Sequence, residues 1–568
     1  MKVDLLILNV QIFQSSVKKF ISGNAAIKEG RFFYIGDLGQ ESFEAKEVIQ
    51  GQNRYMIPGL IDIHLHIEST MVTPSTFSFG LIKNGVTSIV ADSHEMANVF
   101  GMEGVTAMMN ASDSCAADIF HAIPSSVPST AFETTGGEIN IEEIDALRKK
   151  KNVVCLGEVM DYTDLLRNSG GKTQQILNHL RHRDPHFIIE GHCPIKSDLD
   201  LNYFIFSGID SDHTHQTVEG MEKRIKLGMF IEIQEKSMNQ DIINHLIKHD
   251  RSEHFCFVTD DVMADTFLEK GHLNHIIKKA IHMGMSKEAA IYAATATPAK
   301  RMQFTDRGSI APNKIADFIL LNDLPAFDID QVYKSGKKAF DKYETYDQQT
   351  KTSMFPNSFY QSVQLSERQE EDFTIKAPLD SGFQDCRIMT ISDGSTFTKE
   401  SSAQIKIEAG ELQWEASCYG LVAVFERYGK NGNKALGLIG GDTIKKGAIA
   451  TTYAHDNHNL LTVGQNKTDL CIAANKVIEN QGGICVVEDE EVKAFLHLPL
   501  GGVITEAPLA EVAEKTNELR KAMKHLGYKH YNPIMSISTH SLPVSPELKI
   551  TDLGLIRVNE GQIVPLFL

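Results

Sequence analysis

The chain has 568 residues, too many for a single hydrophobic core, so about two to four domains are expected. Its 42% apolar and 23% charged residues are the balance of a globular protein. A net charge of −18, one Trp and no basic cluster argue against nucleic acid or membrane surfaces as partners and leave a small molecule. No apolar run approaches the about 20 residues that a membrane-spanning helix needs. The first residues, VDLLILNV, read as a strand, with neither the basic start nor the cleavage site of a signal peptide. The eight cysteines form no CxxC pair, which fits reduced thiols and a cytoplasmic location better than a disulfide framework.

In chain order, residues 1–57 read as short β segments punctuated by Gly30, Gly36 and Gly51. A similar pattern returns after the central block, in GSIAPNKIADFILLND. Residues 1–57 and 307–340 are therefore expected to form one small β-sandwich domain.

Residues 58–306 alternate strand-like and helix-like runs. The strands are LIDIHLH (60–66), VTSIVAD (86–92), ADIFHAIP (117–124), VVCLGEV (153–159), HFIIEGH (186–192), GIDSDH (208–213), MFIEIQ (229–234) and FCFVTD (255–260). Eight β/α units in about 250 residues is the size of a (β/α)8 TIM barrel, and the fold class is α/β. A doubly wound open sheet would carry a Gly-rich phosphate loop after its first strand, and none is present. Residues 345–568 mix β-like runs with a helix-like PLAEVAEKTNELRKAMKHLG and are expected to form a C-terminal α+β domain.

His64 and His66 end the first strand. Residues two apart in a strand share a face, so both imidazoles can reach one metal. HxH alone is common, but Glu158, His192, His213 and Asp260 fall at the ends of strands four, five, six and eight. Their spacing keeps step with a repeat of about 31 residues per unit, and barrel active sites assemble at that end. Four imidazoles and two carboxylates suit two divalent ions better than one, since a lone zinc takes three protein ligands and a water. The donor set is compatible with Mn(II), Fe(II) or Zn(II). Asp261 adjoins Asp260; in an extended strand only one of the two can face the metals, and Asp260 is the choice. Cys193, next to His192, should point away and pack.

PGLIDIHLHIEST resembles the opening of the amidohydrolase superfamily. KNGVTSIVADSHEMANVFG, GEVMDY, GHCPIKSDLDLNYFIFSGIDSDH, VTDD, AHDNHNLLTVG, LPLGGVITEAP and MSISTHSLPVSPELKITDLGLI resemble the adenine deaminase family across nearly the whole chain. The resemblance implies His64 and His66 as ligands of a first metal, Glu158 as a bridging carboxylate, and His192 and His213 as ligands of a second. It also implies Asp260 as a metal-binding proton shuttle. It implies Mn(II) or Fe(II), and conversion of adenine to hypoxanthine and ammonia.

Glu95, in DSHE after strand two, is the candidate acid for the ring nitrogen N1; otherwise it is a charge at a helix N-terminus. Asp92, His94 and Asp261 are candidate substrate-binding residues. His455, Asp456 and His458 of HDNHN read either as a polar turn or as a contribution to the pocket or a second site. A homo-oligomer, a dimer, is expected. The sequence departs from the family pattern at Ser126, where Cys is usual, at Thr214, where Glu is usual, at Val262 and Met263, where a basic residue follows VTDD, and at Tyr428, where His is usual. These changes bear on substrate choice rather than on hydrolysis. The alternatives are a related amidohydrolase acting on another purine, a pterin or a cyclic amide, and an inactive metal-binding scaffold, whose expected sign is a lost ligand.

Overall fold

A computed structural model describes residues 1–195, 197–344 and 355–568. The first ten residues of the third segment, 345–354, lie outside the described residues.

The barrel strands are Leu60–Leu65, Val86–Asp92, Asp118–Ile123, Val153–Val159, Ile188–Gly191, Ser211–Asp212, Phe230–Ile233 and Phe255–Phe257. All are parallel to their neighbours, the first five in one hydrogen-bonded arc and the last three in another. Their side chains are buried on both faces, as in the all-buried run Val86–Asp92, because helices cover one side and the packed interior the other. One apolar cluster takes Ile61, Ile63, Val90, Ala122, Cys155, Cys256 and Val258 from the strands and Met302 from beyond the last barrel helix.

Two seams close the ring. Leu65 and Asp260 form a parallel bridge, and the Asp260 amide donates to the His64 carbonyl at 3.1 Å. Between strands five and six, the Gly191 amide donates to Ser211 Oγ and the Cys193 amide to Asp212 Oδ1, each at 3.1 Å. A Cβ at Gly191 would lie 2.6 Å from the Ser211 carbonyl oxygen, so that seam requires glycine.

The expected sixth and eighth strands are longer than those observed. Only Ser211–Asp212 and Phe255–Phe257 pair. Asp260 has φ of 57°, in the left-handed region, so the chain has left the extended conformation before it reaches the expected strand end.

Five strands before the barrel and three after it share one eight-stranded sheet. Tyr55–Pro58 joins the two sets, pairing parallel with Lys2–Gln14 and antiparallel with Phe318–Asp323. After residue 355 comes a nine-stranded sheet, carrying the helices Lys467–Glu479 and Leu509–His525, and a three-stranded sheet over Leu548–Val564. This region sits on the loops that follow barrel strands one to three. The Thr505 amide donates to the Met71 carbonyl (2.9 Å), Asn457 Nδ2 to Glu133 (3.1 Å) and the Thr134 amide to Asp552 (2.9 Å). All eight cysteines are free, and no helix of the described residues is long and apolar enough to cross a membrane.

Lys549, in the strand Leu548–Thr551, is fully buried, and its amine donates to the Thr396 carbonyl at 2.9 Å. Burial pushes its pKa down to about 7. In the unfolded chain a lysine titrates near about 10.4. Between these values the unfolded state holds a proton that the folded state lacks, so stability rises with pH across that window. Lys549→Met should therefore stabilise the protein most near pH ~6, with the gap in melting temperature narrowing as pH approaches ~9.5. A gap that does not change with pH would rule this out.

Candidate metal centre

The six expected ligands converge at one end of the barrel. His64 lies within the first strand and His66 one residue beyond it. Glu158 is the second-last residue of the fourth strand, and His192 and His213 directly follow the fifth and sixth. All are buried except His192, whose ring is 36% exposed.

Glu158 lies between two groups of imidazoles. Its Oε1 is 3.4 Å from His66 Nε2; its Oε2 is 3.0 Å from His192 Nδ1 and 3.2 Å from His213 Nε2. Burial pushes the carboxyl upward, but His213 and His192 hold it well below the usual range. Asp260 Oδ1 is 3.5 Å from His66 Nε2 and 3.8 Å from His64 Nε2. Burial opposes its charge too, and Lys236 and His66 outweigh it.

The other nitrogen of His66, Nδ1, lies 3.0 Å from the Asp92 carbonyl oxygen. That bond places a proton on Nδ1 and orients the ring so that Nε2 faces Glu158 and Asp260. The His64 ring stacks on His213 with centroids 3.9 Å apart, and burial pushes its pKa well down, so it is neutral. Its Nε2 is buried with no hydrogen-bond partner among the described residues. The ligand atoms of His64, His66 and Glu158 all lie within 4.8 Å of one another, as do those of Glu158, His192 and His213. Imidazole nitrogens and carboxylate oxygens crowded this closely, one of them orphaned, fit divalent metal ions.

Residues 55–339 match the amidohydrolase family, and residues 395–562 match the adenine deaminase C-terminal domain. An adenine deaminase 2 of Shouchella clausii is 57% identical over 100% of this chain and 99% of its own. An adenine deaminase of Clostridium perfringens is 47% identical over 100% of both chains, and an adenine deaminase 2 of Oenococcus oeni is 41% identical over 100% of this chain and 99% of its own. The chain belongs to the adenine deaminase family of amidohydrolases.

The departures from the family pattern have structural partners. Ser126 Oγ accepts from the Met160 amide at 3.2 Å, just beyond strand four. Thr214 donates its hydroxyl to Asp212 Oδ2 and its amide to Asp212 Oδ1. Val262 packs against the main core, and Met263 is buried within it. The Tyr428 hydroxyl donates to the Asn457 carbonyl, inside HDNHN.

HDNHN is more than a turn. Its residues are buried against the loop after barrel strand two. His455 Nδ1 is 2.6 Å from Glu95 Oε1, and His458 Nε2 contacts Glu95 Oε2. Against the upward push of burial, His455, His458 and His94 hold the Glu95 carboxyl well below its ordinary value. Glu95 is thus held as a carboxylate among imidazoles. Asp92 and His94 are buried beside it, whereas Asp261 is exposed, and Ser69 Oγ donates to its Oδ1. The expectation that only one of Asp260 and Asp261 can face the ligands fails, because alternation requires extended backbone. Both carboxylates lie within 4.8 Å of the His66 ligand atom.

Strand seven also contributes a residue that sequence reasoning did not name. Lys236 Nζ lies 3.4 Å from Asp260 Oδ2. Its position just past FIEI is the only sequence signal that marks it. Cys193 is buried as expected, with its carbonyl bonded to Arg224.

Glu158→Gln replaces the shared carboxylate with an amide that cannot serve both groups of imidazoles. The variant should fold yet lose more than half of its bound Mn(II) by elemental analysis, whereas Thr214→Ala should keep it all. Equal metal content in Glu158→Gln and the parent would refute the shared role.

Proposed function

We propose that the protein hydrolyses adenine to hypoxanthine and ammonia. The observation that carries this reading is likeness along the whole chain, at 57% and 47% identity, to proteins named adenine deaminases. The carboxylate of Glu158, set between two groups of imidazoles, supplies the matching chemistry.

His64, His66, Glu158, His192, His213 and Asp260 are our ligand set for two divalent ions, Mn(II) or Fe(II) by the family resemblance. When bound, such ions lower the pKa of a water and so supply a nucleophile at neutral pH. Asp260 is held ionised and is the base. It takes a proton at a carboxylate oxygen as the water oxygen bonds to C6, and delivers it to N6 as the C6–N6 bond breaks. The leaving group departs as ammonia, and N1 ends with the second water proton. Lys236 holds one Asp260 oxygen, leaving Oδ1 to face His64 and His66. Glu95, held between His455 and His458, lines the loop that follows strand two beside the ligands.

Ser126, Thr214, Val262 and Tyr428 each have a bonding or packing partner inside the protein, so the departures from the family pattern leave the likeness to adenine deaminases as the guide to the ring. Mn(II)-loaded protein should release ammonia from adenine faster than from guanine, a pterin or a cyclic amide. Turnover of one of those rings with none of adenine would displace the reading. Asp260→Asn should keep the fold and lose about 10²–10⁴-fold in kcat/KM for adenine; an unimpaired variant would remove the assigned base.

A further inference from the structure

We propose that His94, Glu95, His455 and Asp456 form a further divalent-cation site, separate from the six barrel residues, at the seam between the barrel and the C-terminal region. His94 and Glu95 open the helix His94–Phe100 after barrel strand two, and His455 and Asp456 precede the strand Leu460–Gly464. All four are at most 5% exposed. One ligand atom from each lies within 4.8 Å of the other three.

The spacings resemble a coordination shell. His94 Nε2 is 3.4 Å from Glu95 Oε1 and 3.9 Å from Asp456 Oδ1; His455 Nδ1 is 3.5 Å from Asp456 Oδ1. A tetrahedral ion with bonds of about 2.1 Å sets its ligand atoms roughly 3.4 Å apart. A fourth of the six edges, His455 Nδ1 to Glu95 Oε1, is shorter at 2.6 Å. That approach lacks hydrogen-bond geometry, since Glu95 Oε1 has no hydrogen-bond partner among the described residues. The outward atoms of the other three, His94 Nδ1, His455 Nε2 and Asp456 Oδ2, are buried without a hydrogen-bond partner among the described residues, which leaves the inward atoms free to turn toward an ion.

The oxygens of Glu95 and Asp456 that face the site are met by the imidazoles of His94 and His455, and a divalent ion among the four would neutralise both buried carboxylates. The second oxygen of Glu95 is held by His458 Nε2, an orienting contact typical of the groups that surround metal ligands. Two imidazoles and two carboxylates select a transition ion such as Zn(II), Mn(II) or Fe(II) over Mg(II) or Ca(II). His94 presents Nε2 to this site, and its Nδ1 lies 3.9 Å from Glu158 Oε1, so the new site adjoins the barrel pair without sharing a ligand with it. Two ligands come from the barrel and two from a loop more than 350 residues later, so the ion would staple the C-terminal region over the barrel mouth.

Crystals of the full-length protein grown with Zn(II), and separately with Mn(II), should show an anomalous peak among these four side chains in addition to density at the barrel ligands. After dialysis against Zn(II), the His455→Asn/Asp456→Asn double variant should hold one equivalent fewer per chain than the parent and keep the rest. Density at the barrel ligands with none between His94 and His455 would overturn the site, whether or not the double variant folds. Adenine turnover without the extra peak removes this inference alone. The extra peak without adenine turnover removes only the proposed substrate.

Discussion

A buried carboxylate shared between imidazoles is the constraint on which the rest of the barrel depends. Glu158 is buried, so its charge relies on neighbouring groups: His66 approaches one oxygen while His192 and His213 approach the other. Those residues come from strands one, four, five and six. Their ends meet only if the ring closes, and closure needs the Leu65–Asp260 bridge on one side and the glycine-permitted approach at Gly191 on the other. Chemistry and architecture are thus set by the same few contacts.

The C-terminal region is tied to this end of the barrel by polar bonds rather than apolar packing alone. Arg427 is fully buried, and its guanidinium donates to the carbonyls of His458, Ser362 and Gly501. Tyr428 donates to Asn457. Together they bond to the backbone of HDNHN, where His455 and His458 meet Glu95. Burial penalises this guanidinium and lowers its pKa, and the carbonyl bonds offset part of that cost, whereas the same loop without it would leave those carbonyls unpaired.

Much of the barrel was legible in the sequence because its signals are local. Apolar runs bounded by glycines mark the strands, and ligand residues recur at the strand ends in step with the β/α repeat. Errors arose where a local rule met an exception. The alternation argument for Asp260 over Asp261 assumed a strand that had already ended, and Lys236 follows a strand that carried no expected ligand. The partners of Glu95, His455 and His458, lie in another part of the chain, where no local rule reaches them.

By itself the sequence determined the (β/α)8 class, the six-residue ligand set as an expectation and the family, since each rests on residue type and near-neighbour spacing. Only the tertiary structure decided which oxygen of Glu158 faces which imidazole, that both Asp260 and Asp261 approach His66, and that HDNHN closes over Glu95. The Glu95–His458 contact joins residues 363 positions apart. No periodicity encodes such a pairing, because it exists only once two separately patterned regions have packed and excluded water between them.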